Sequence, residues 1–203
     1  MSDPASPAAD PSTGAAPVAQ PLRLPGLEIV WTAPAPPAGL VSLRADLTDP
    51  AVEAALVATT GLSVPGVRRA TTAGDAAALW FSPDEFLLLL PDAARSVVGL
   101  GEALHAVHHL VADTTDARCR VRIAGPSARD LLARGIPVDL APEAFGPGDL
   151  RRTRLGQLAA AVWCEEAERF SLFCHRSVAE HVAVWLATAA SSGSAGLYGA
   201  MPG

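Results

Sequence analysis

The chain has 203 residues, half of them apolar and 18% charged, with 21 acidic side chains against 15 basic ones and a formal charge of −6. That apolar content can offset the entropy of ordering, which excludes a disordered regulator, and the length holds one compact domain, or two very small ones, once a polar N-terminal stretch is set aside. The acidic balance argues against a phosphate-tracking surface, so nucleic acid is not an expected partner.

Residues 1–22 are rich in Pro, Ala, Ser and Asp and are expected to form a disordered arm. Over 23–190 the apolar residues alternate between a period of two and a period of three to four, which predicts a mixed α+β domain. Residues 41–45 read as a strand. Asp49 then offers an N-cap, Pro50 suits the first helical position and Gly61 a left-handed stop, so 51–60 should be a short helix. The apolar runs 76–81 and 86–90 flank Ser82-Pro83-Asp84-Glu85, which predicts a hairpin, or a strand, a helical turn and a strand. Asp92 caps a helix expected to run to about Leu110, with Val97, Leu100, Leu104 and Val107 or His108 on one stripe.

Further along, 120–123 alternate as a strand, and Gly125-Pro126 opens a helix through Leu131 and Leu132 that ends at Gly135. After the Gly146-Pro147-Gly148 turn, strand-like runs follow near 152–155, 158–164 and 170–175. Ser177 and Glu180 have the spacing of a capping box for a last helix carrying Val178, Val182, Trp185 and Ala189. Residues 191–203 predict a flexible tail with Leu197 and Tyr198 as its anchors.

Cys119, Cys164 and Cys174, the three cysteines, form no CxxC pair. Their odd number suits a reduced intracellular compartment, and they are expected to be small apolar core residues. No apolar run reaches the ~18 residues needed to cross a bilayer, and the N-terminus lacks a basic region followed by an apolar stretch, so a cytoplasmic location without a membrane partner is expected. There is no phosphate-cradling GxGxxG or GxxxxGK[ST] loop, and hence no self-contained nucleotide site.

His105, His108 and His109 would lie within reach of one another on the helix expected there, but a metal would need a fourth ligand from elsewhere, and helix-surface packing is the simpler account. Cys174 and His175, adjacent on a strand, point to opposite faces and cannot form a nucleophile–base pair. The basic run Arg151-Arg152-Thr153-Arg154 lacks interleaved aromatics and reads as a solvated strand face or a salt-bridging interface. Candidate subunit-interface residues are Arg122, Arg129 and Arg134, for which helix-surface pairing with Asp130 or Glu143 is the alternative, and Trp31, whose place before the Pro-rich 33–37 segment suits an exposed anchor docking into a partner groove.

Two stretches resemble the folate-dependent aminomethyltransferase superfamily that includes the glycine-cleavage T-protein. They are Val111-Ala112-Asp113-Thr114-Thr115 and, after a strand, Ile123-Ala124-Gly125-Pro126-Ser127-Ala128. Ser82-Pro83-Asp84-Glu85-Phe86-Leu87-Leu88, Pro147-Gly148, the Arg-rich strand, Phe170-Ser171-Leu172-Phe173, Arg176-Ser177 and Trp185-Leu186 occur in the order and spacing of the gamma subunits of heterotetrameric sarcosine oxidases. The resemblance covers most of 41–188.

It implies an α+β fold of ferredoxin-like two-layer domains related to the folate-binding aminomethyltransferase fold. It also implies a non-catalytic accessory subunit in a complex that oxidatively demethylates sarcosine to glycine with hydrogen peroxide and methylenetetrahydrofolate. Its partners would be the alpha, beta and delta subunits, alpha in direct contact. FAD, FMN, NAD and tetrahydrofolate would sit in those partners, and this chain would hold no cofactor, metal or catalytic residue. The T-protein's working carboxylate falls in the stretch that is here Gly156 to Trp163, which carries alanines instead and cannot exchange a proton. The rival expectation is a stand-alone folate-binding aminomethyltransferase-like protein.

Overall fold

The computed structural model describes residues 21–32 and 39–192. The arm expected over 1–22 and the tail over 191–203 fall, except at their inner ends, outside the described residues.

An N-terminal hairpin comes first, β1 (Leu22–Leu24) and β2 (Leu27–Thr32), paired antiparallel across Pro25 and Gly26. It was not expected from the sequence, although Leu27 and Ile29 alternate with polar Glu28 as a half-buried strand should. The chain then builds β3 (Gly39–Ala45), α1 (Pro50–Thr60), β4 (Ala70–Ala73), β5 (Ala76–Ser82), β6 (Glu85–Leu90), α2 (Ala93–Ala103) and β7 (His109–Asp113). These strands form a five-stranded sheet in the order β4-β5-β6-β3-β7. Without the β4 extension this is the βαββαβ ferredoxin-like arrangement, whose last strand lies beside its first.

The helix boundaries follow from local chemistry at α1. Asp49 accepts a hydrogen bond from the Ala51 N–H at 2.8 Å, and Gly61 closes the helix at φ 72°. At α2 the Asp92 cap holds, accepting from the Arg95 N–H, but the helix ends at Ala103 and not near Leu110. Residues 109–113 instead pair with β3, from His109 opposite Ala45 to Asp113 opposite Val41. A strand completed against an existing sheet edge outweighs helix continuation after Gly99 and Gly101, two residues that weaken a helix.

The rest of the chain forms β8 (Arg118–Ala124), α3 (Ala128–Ala133), β9 (Leu150–Leu155), β10 (Leu158–Glu166), β11 (Arg169–His175) and α4 (Ala179–Ser191). With the N-terminal hairpin they make a six-stranded sheet ordered β1-β2-β8-β11-β10-β9. This is a second ferredoxin-like unit in which the strand beside β8 comes from the start of the chain and not from beyond α4. The capping box does not form. A 3-10 turn over Arg176–Val178 takes the chain straight out of β11 into α4, so Ser177 sits inside a helical turn and its side chain caps nothing.

Three hydrophobic clusters show that the two units stack as four layers, helices outside and sheets inside. Val52, Leu56 and Leu100 of α1 and α2 pack on Val41, Leu43, Phe86 and Leu88. Leu131, Val182 and Leu186 of α3 and α4 pack on Val121, Ile123, Phe170 and Leu172. Between the sheets, Leu79, Phe81, Leu87 and Leu89 meet Leu150, Trp163 and Phe173. Phe81 and Phe173 touch edge to face at 6.3 Å across that seam. No helix among the described residues is long and apolar enough to cross a membrane.

Candidate functional site

β8 alternates buried Cys119, Val121 and Ile123, which face the helices, with Arg118, Arg120 and Arg122, which therefore face the other sheet. A strand whose polar face is entirely guanidinium needs anions, and the seam between the sheets supplies two carboxylates. The resulting polar belt borders the apolar seam.

The first carboxylate is Glu85, opening β6, where every following residue is buried. Its side chain is 5% exposed and takes the Ser42 hydroxyl at 3.1 Å, Arg44 Nη2 at 3.2 Å and Arg118 Nη2 at 3.4 Å, with Arg152 Nη1 at 3.8 Å. Arg118 and Arg152 also lie over the Phe81 ring, their guanidinium carbons 5.3 Å and 5.6 Å from its centroid. Burial lowers the Arg118 guanidinium below its ordinary value, Glu85 opposes the fall, and the neighbouring charges of Arg152 and Arg44 add to it. A cleft of about 70 Å³ opens here, lined by Phe81, Arg118, Arg152, Thr153, Phe173 and His175 among others.

The second is Glu165 on β10. Arg120 Nη2 lies 2.7 Å from it and Arg122 Nε 3.7 Å, while Arg120 Nε donates to the Ser171 hydroxyl at 2.7 Å and that hydroxyl donates back to Glu165. Burial raises the Glu165 carboxyl, but the Ser171 hydroxyl and the two guanidiniums outweigh it and hold the group below its ordinary value. A carboxylate kept ionised in this way is a poor proton acceptor at neutral pH. Glu165 lies beyond the Gly156–Trp163 stretch from which a carboxylate is missing.

The residues singled out from the sequence scatter. Trp31 lies on β2 opposite Val121, partly buried against the helix-side core, and not on a free extended arm. Arg122 is part of the inter-sheet belt, its side chain 38% exposed. Arg129 is buried, and its guanidinium donates to the carbonyls of Leu140, Phe145 and Ala167 and stacks 5.0 Å over Phe170, so neither Asp130 nor Glu143 is needed to explain it. Arg134 donates to the Ala189 carbonyl and lines an apolar cleft of about 230 Å³ beside Leu24, Leu27 and Leu131. The structure therefore does not bring these four together.

The histidine helix dissolves with the shortened α2. His105 lies in the turn after it, its ring Nδ1 on the Glu102 carbonyl, and His109 lies on β7 with its ring on the Val107 carbonyl. Among the described residues no three His, Cys, Asp or Glu side chains stand together as metal ligands. All three cysteines are free and buried. Burial raises each thiol, Cys174 to about 12, so none is poised as a thiolate nucleophile. Of the basic run, Arg151 pairs with Asp149 and stacks on Phe145, and Arg152 turns to the seam. What the sequence reasoning missed is the belt itself, although the Arg-x-Arg-x-Arg spacing of β8 signalled it.

The chain matches the model of the sarcosine oxidase gamma subunit family over residues 44–192. It is 32% identical over 141 residues to the sarcosine oxidase subunit gamma of Corynebacterium sp. (strain P-1), covering 68% of this chain and 69% of that one. The gamma subunit of Arthrobacter sp. is 30% identical over 135 residues, 66% of each chain. Among solved structures, a chain of the heterotetrameric sarcosine oxidase from Corynebacterium sp. U-96, in complex with pyrrole 2-carboxylate, superposes with a TM-score of 0.75 at 27% identity over 87% of both chains. Aminomethyltransferase T of the glycine cleavage system from Bartonella henselae superposes with a TM-score of 0.55 at 12% identity over 79% of this chain and 45% of that one, a likeness of fold. The chain belongs to the sarcosine oxidase gamma subunit family.

Proposed function

We propose that this member of the sarcosine oxidase gamma subunit family acts by binding alone, as an accessory subunit that stabilises a heterotetrameric sarcosine oxidase and supplies none of its reacting groups. The observation that carries this reading is the state of the buried ionisable groups. Glu85 and Glu165 are engaged by guanidiniums, and Glu165 is held below its ordinary value. Every thiol is raised by burial. A general base needs the opposite, a carboxylate raised toward the working pH or a thiolate favoured by neighbouring charge.

In this reading the assembled complex demethylates sarcosine to glycine with hydrogen peroxide and methylenetetrahydrofolate in the cytoplasm. FAD, FMN, NAD and tetrahydrofolate sit in the alpha, beta and delta subunits, and alpha makes the direct contact. Of the interface candidates, Trp31 and Arg122 keep surface to offer, whereas the buried Arg129 acts within this chain.

Co-expression of the tagged chain with the other oxidase subunits, followed by size-exclusion chromatography and a sarcosine-dependent peroxide assay, tests the proposal. Co-elution, with yield or activity falling when the chain is omitted, is expected. Separation without effect overturns it, and a saturable micromolar response of the isolated chain to a reduced folate would favour a stand-alone folate-binding protein.

A further inference from the structure

We propose that the cleft beside Phe81 receives a carboxylate side chain, aspartate or glutamate, from a partner subunit of the oxidase, gripped by the guanidinium of Arg152 with Arg118 behind it. This rests on the accessory-subunit reading and deepens it by naming the contact. Three guanidiniums, those of Arg44, Arg118 and Arg152, converge on the single buried carboxylate Glu85. Asp84, the other carboxylate on which Arg44 and Arg152 act, is fully exposed and bonded to the Ser82 hydroxyl. The site thus holds a surplus positive charge, visible as the mutual repulsion that helps to lower Arg118.

Arg152 is the unsatisfied member. Its side chain is 53% exposed, and its polar contacts are the Phe81 carbonyl at 3.4 Å and Glu85 at 3.8 Å, both longer than a good hydrogen bond. An arginine fork beside an aromatic ring, half-exposed and without a short hydrogen bond of its own, is suited to bidentate capture of a carboxylate.

Size selects the source of that carboxylate. The cleft of about 70 Å³ has room for a carboxylate head and falls well short of the roughly 300 Å³ or more of a pocket that encloses a whole metabolite. A half-exposed arginine holds a free small acid weakly, because water and salt screen the pair. A side chain delivered by a docked surface loses little further freedom, so the same contact becomes worth having.

The test compares the full-length chain with Arg152→Glu and with Arg154→Glu, an exposed arginine on the same strand outside the cleft lining, for binding to the other oxidase subunits at low and high salt. Arg152→Glu is expected to weaken binding at least about tenfold at low salt, with the difference shrinking at high salt, while Arg154→Glu stays within about twofold of the parent. Circular dichroism and the urea midpoint check that the variants fold, and Arg152→Met, which keeps the stem over Phe81, replaces any variant that does not. Equal binding by the parent and the Arg152 variants overturns the proposal and leaves the accessory role standing. A parent chain that joins no oxidase subunit overturns both. Stabilisation of the isolated chain by millimolar acetate that vanishes in Arg152→Glu would assign the cleft to a free acid and overturn the partner contact.

Discussion

Arg129→Ala separates a residue that holds this chain together from one that holds it to a partner. Arg129 is 8% exposed, and its guanidinium donates to three main-chain carbonyls, of Leu140, Phe145 and Ala167, which belong to the loop after α3 and the turn between β10 and β11. Alanine would leave these acceptors without donors, remove the stacking on Phe170 and open a cavity. Charge-assisted hydrogen bonds are worth about 1.5–3 kcal/mol each and are not additive, and part of the loss is offset because a charge need no longer be buried, so the net cost is about 3–5 kcal/mol. For a chain of this size that corresponds to a fall of about 6–20 °C in Tm, at about 2–4 °C per kcal/mol. Arg129→Lys, whose ammonium cannot reach all three carbonyls at once, should fall between. The assay is urea and thermal unfolding of the isolated chain followed by circular dichroism. An alanine variant within about 1 kcal/mol of the parent that nevertheless fails to join the oxidase would refute this reasoning and make Arg129 an interface residue.

Gly125→Ala is expected to cost about 2–3 kcal/mol in urea unfolding, because Gly125 has φ 113° and an added Cβ would lie 2.4 Å from the Gly26 carbonyl oxygen; Gly156→Ala, at φ 58° with open space around it, should cost about 1–2 kcal/mol, and equal effects would refute the clash. Glu165 has a folded-state carboxyl below its unfolded value, so its stabilisation is complete above about pH 4.5 and is lost as pH falls through the lowered folded value. Thermal midpoints measured from about pH 5 down to about pH 3 should therefore drop less steeply in Glu165→Gln than in the parent, and parallel curves would refute the assignment. At mildly alkaline pH the native chain should leave a thiol-specific disulfide reagent unreacted, with three equivalents consumed on unfolding, and one fast native thiol would show that burial does not protect it.

The parts of the fold that sequence reasoning reached are those decided within a few residues. Asp49, Pro50 and Gly61 define α1 by satisfying or ending its own backbone, whatever lies around it. The β5–β6 hairpin is likewise carried by its apolar runs and the turn residues between them. The end of α2 was out of reach because it depends on β3, more than fifty residues earlier in the chain, offering an edge to 109–113. The Ser177 capping box failed for a similar reason: β11 runs as far as His175 in pairing with Arg118, leaving no extended residue from which Ser177 could cap. Arg129 was misjudged because an arginine on a short helix reads as surface, and only folding brings it the carbonyls of the 140–148 loop and of the β10–β11 turn.

The N-terminal hairpin matters most for how the site arises. By filling the place beside β8, β2 completes the second ferredoxin-like unit with residues that precede the first, so the unit over 39–113 is an insertion within the other. The two units are therefore tied at both ends of the insertion, and their sheets are pressed together over Phe81, Leu87, Trp163 and Phe173. The guanidinium cleft draws on both of them, Arg44, Phe81 and Glu85 from the inserted unit and Arg118 and Arg152 from the other. Neither unit alone gathers this charge, and a slip of one sheet over the other would disperse it. A subunit that works by binding needs its contact groups fixed before the partner arrives, because ordering them at the moment of docking would cost affinity. The apolar seam provides that fixity, and the charged residues along its border are placed to use it.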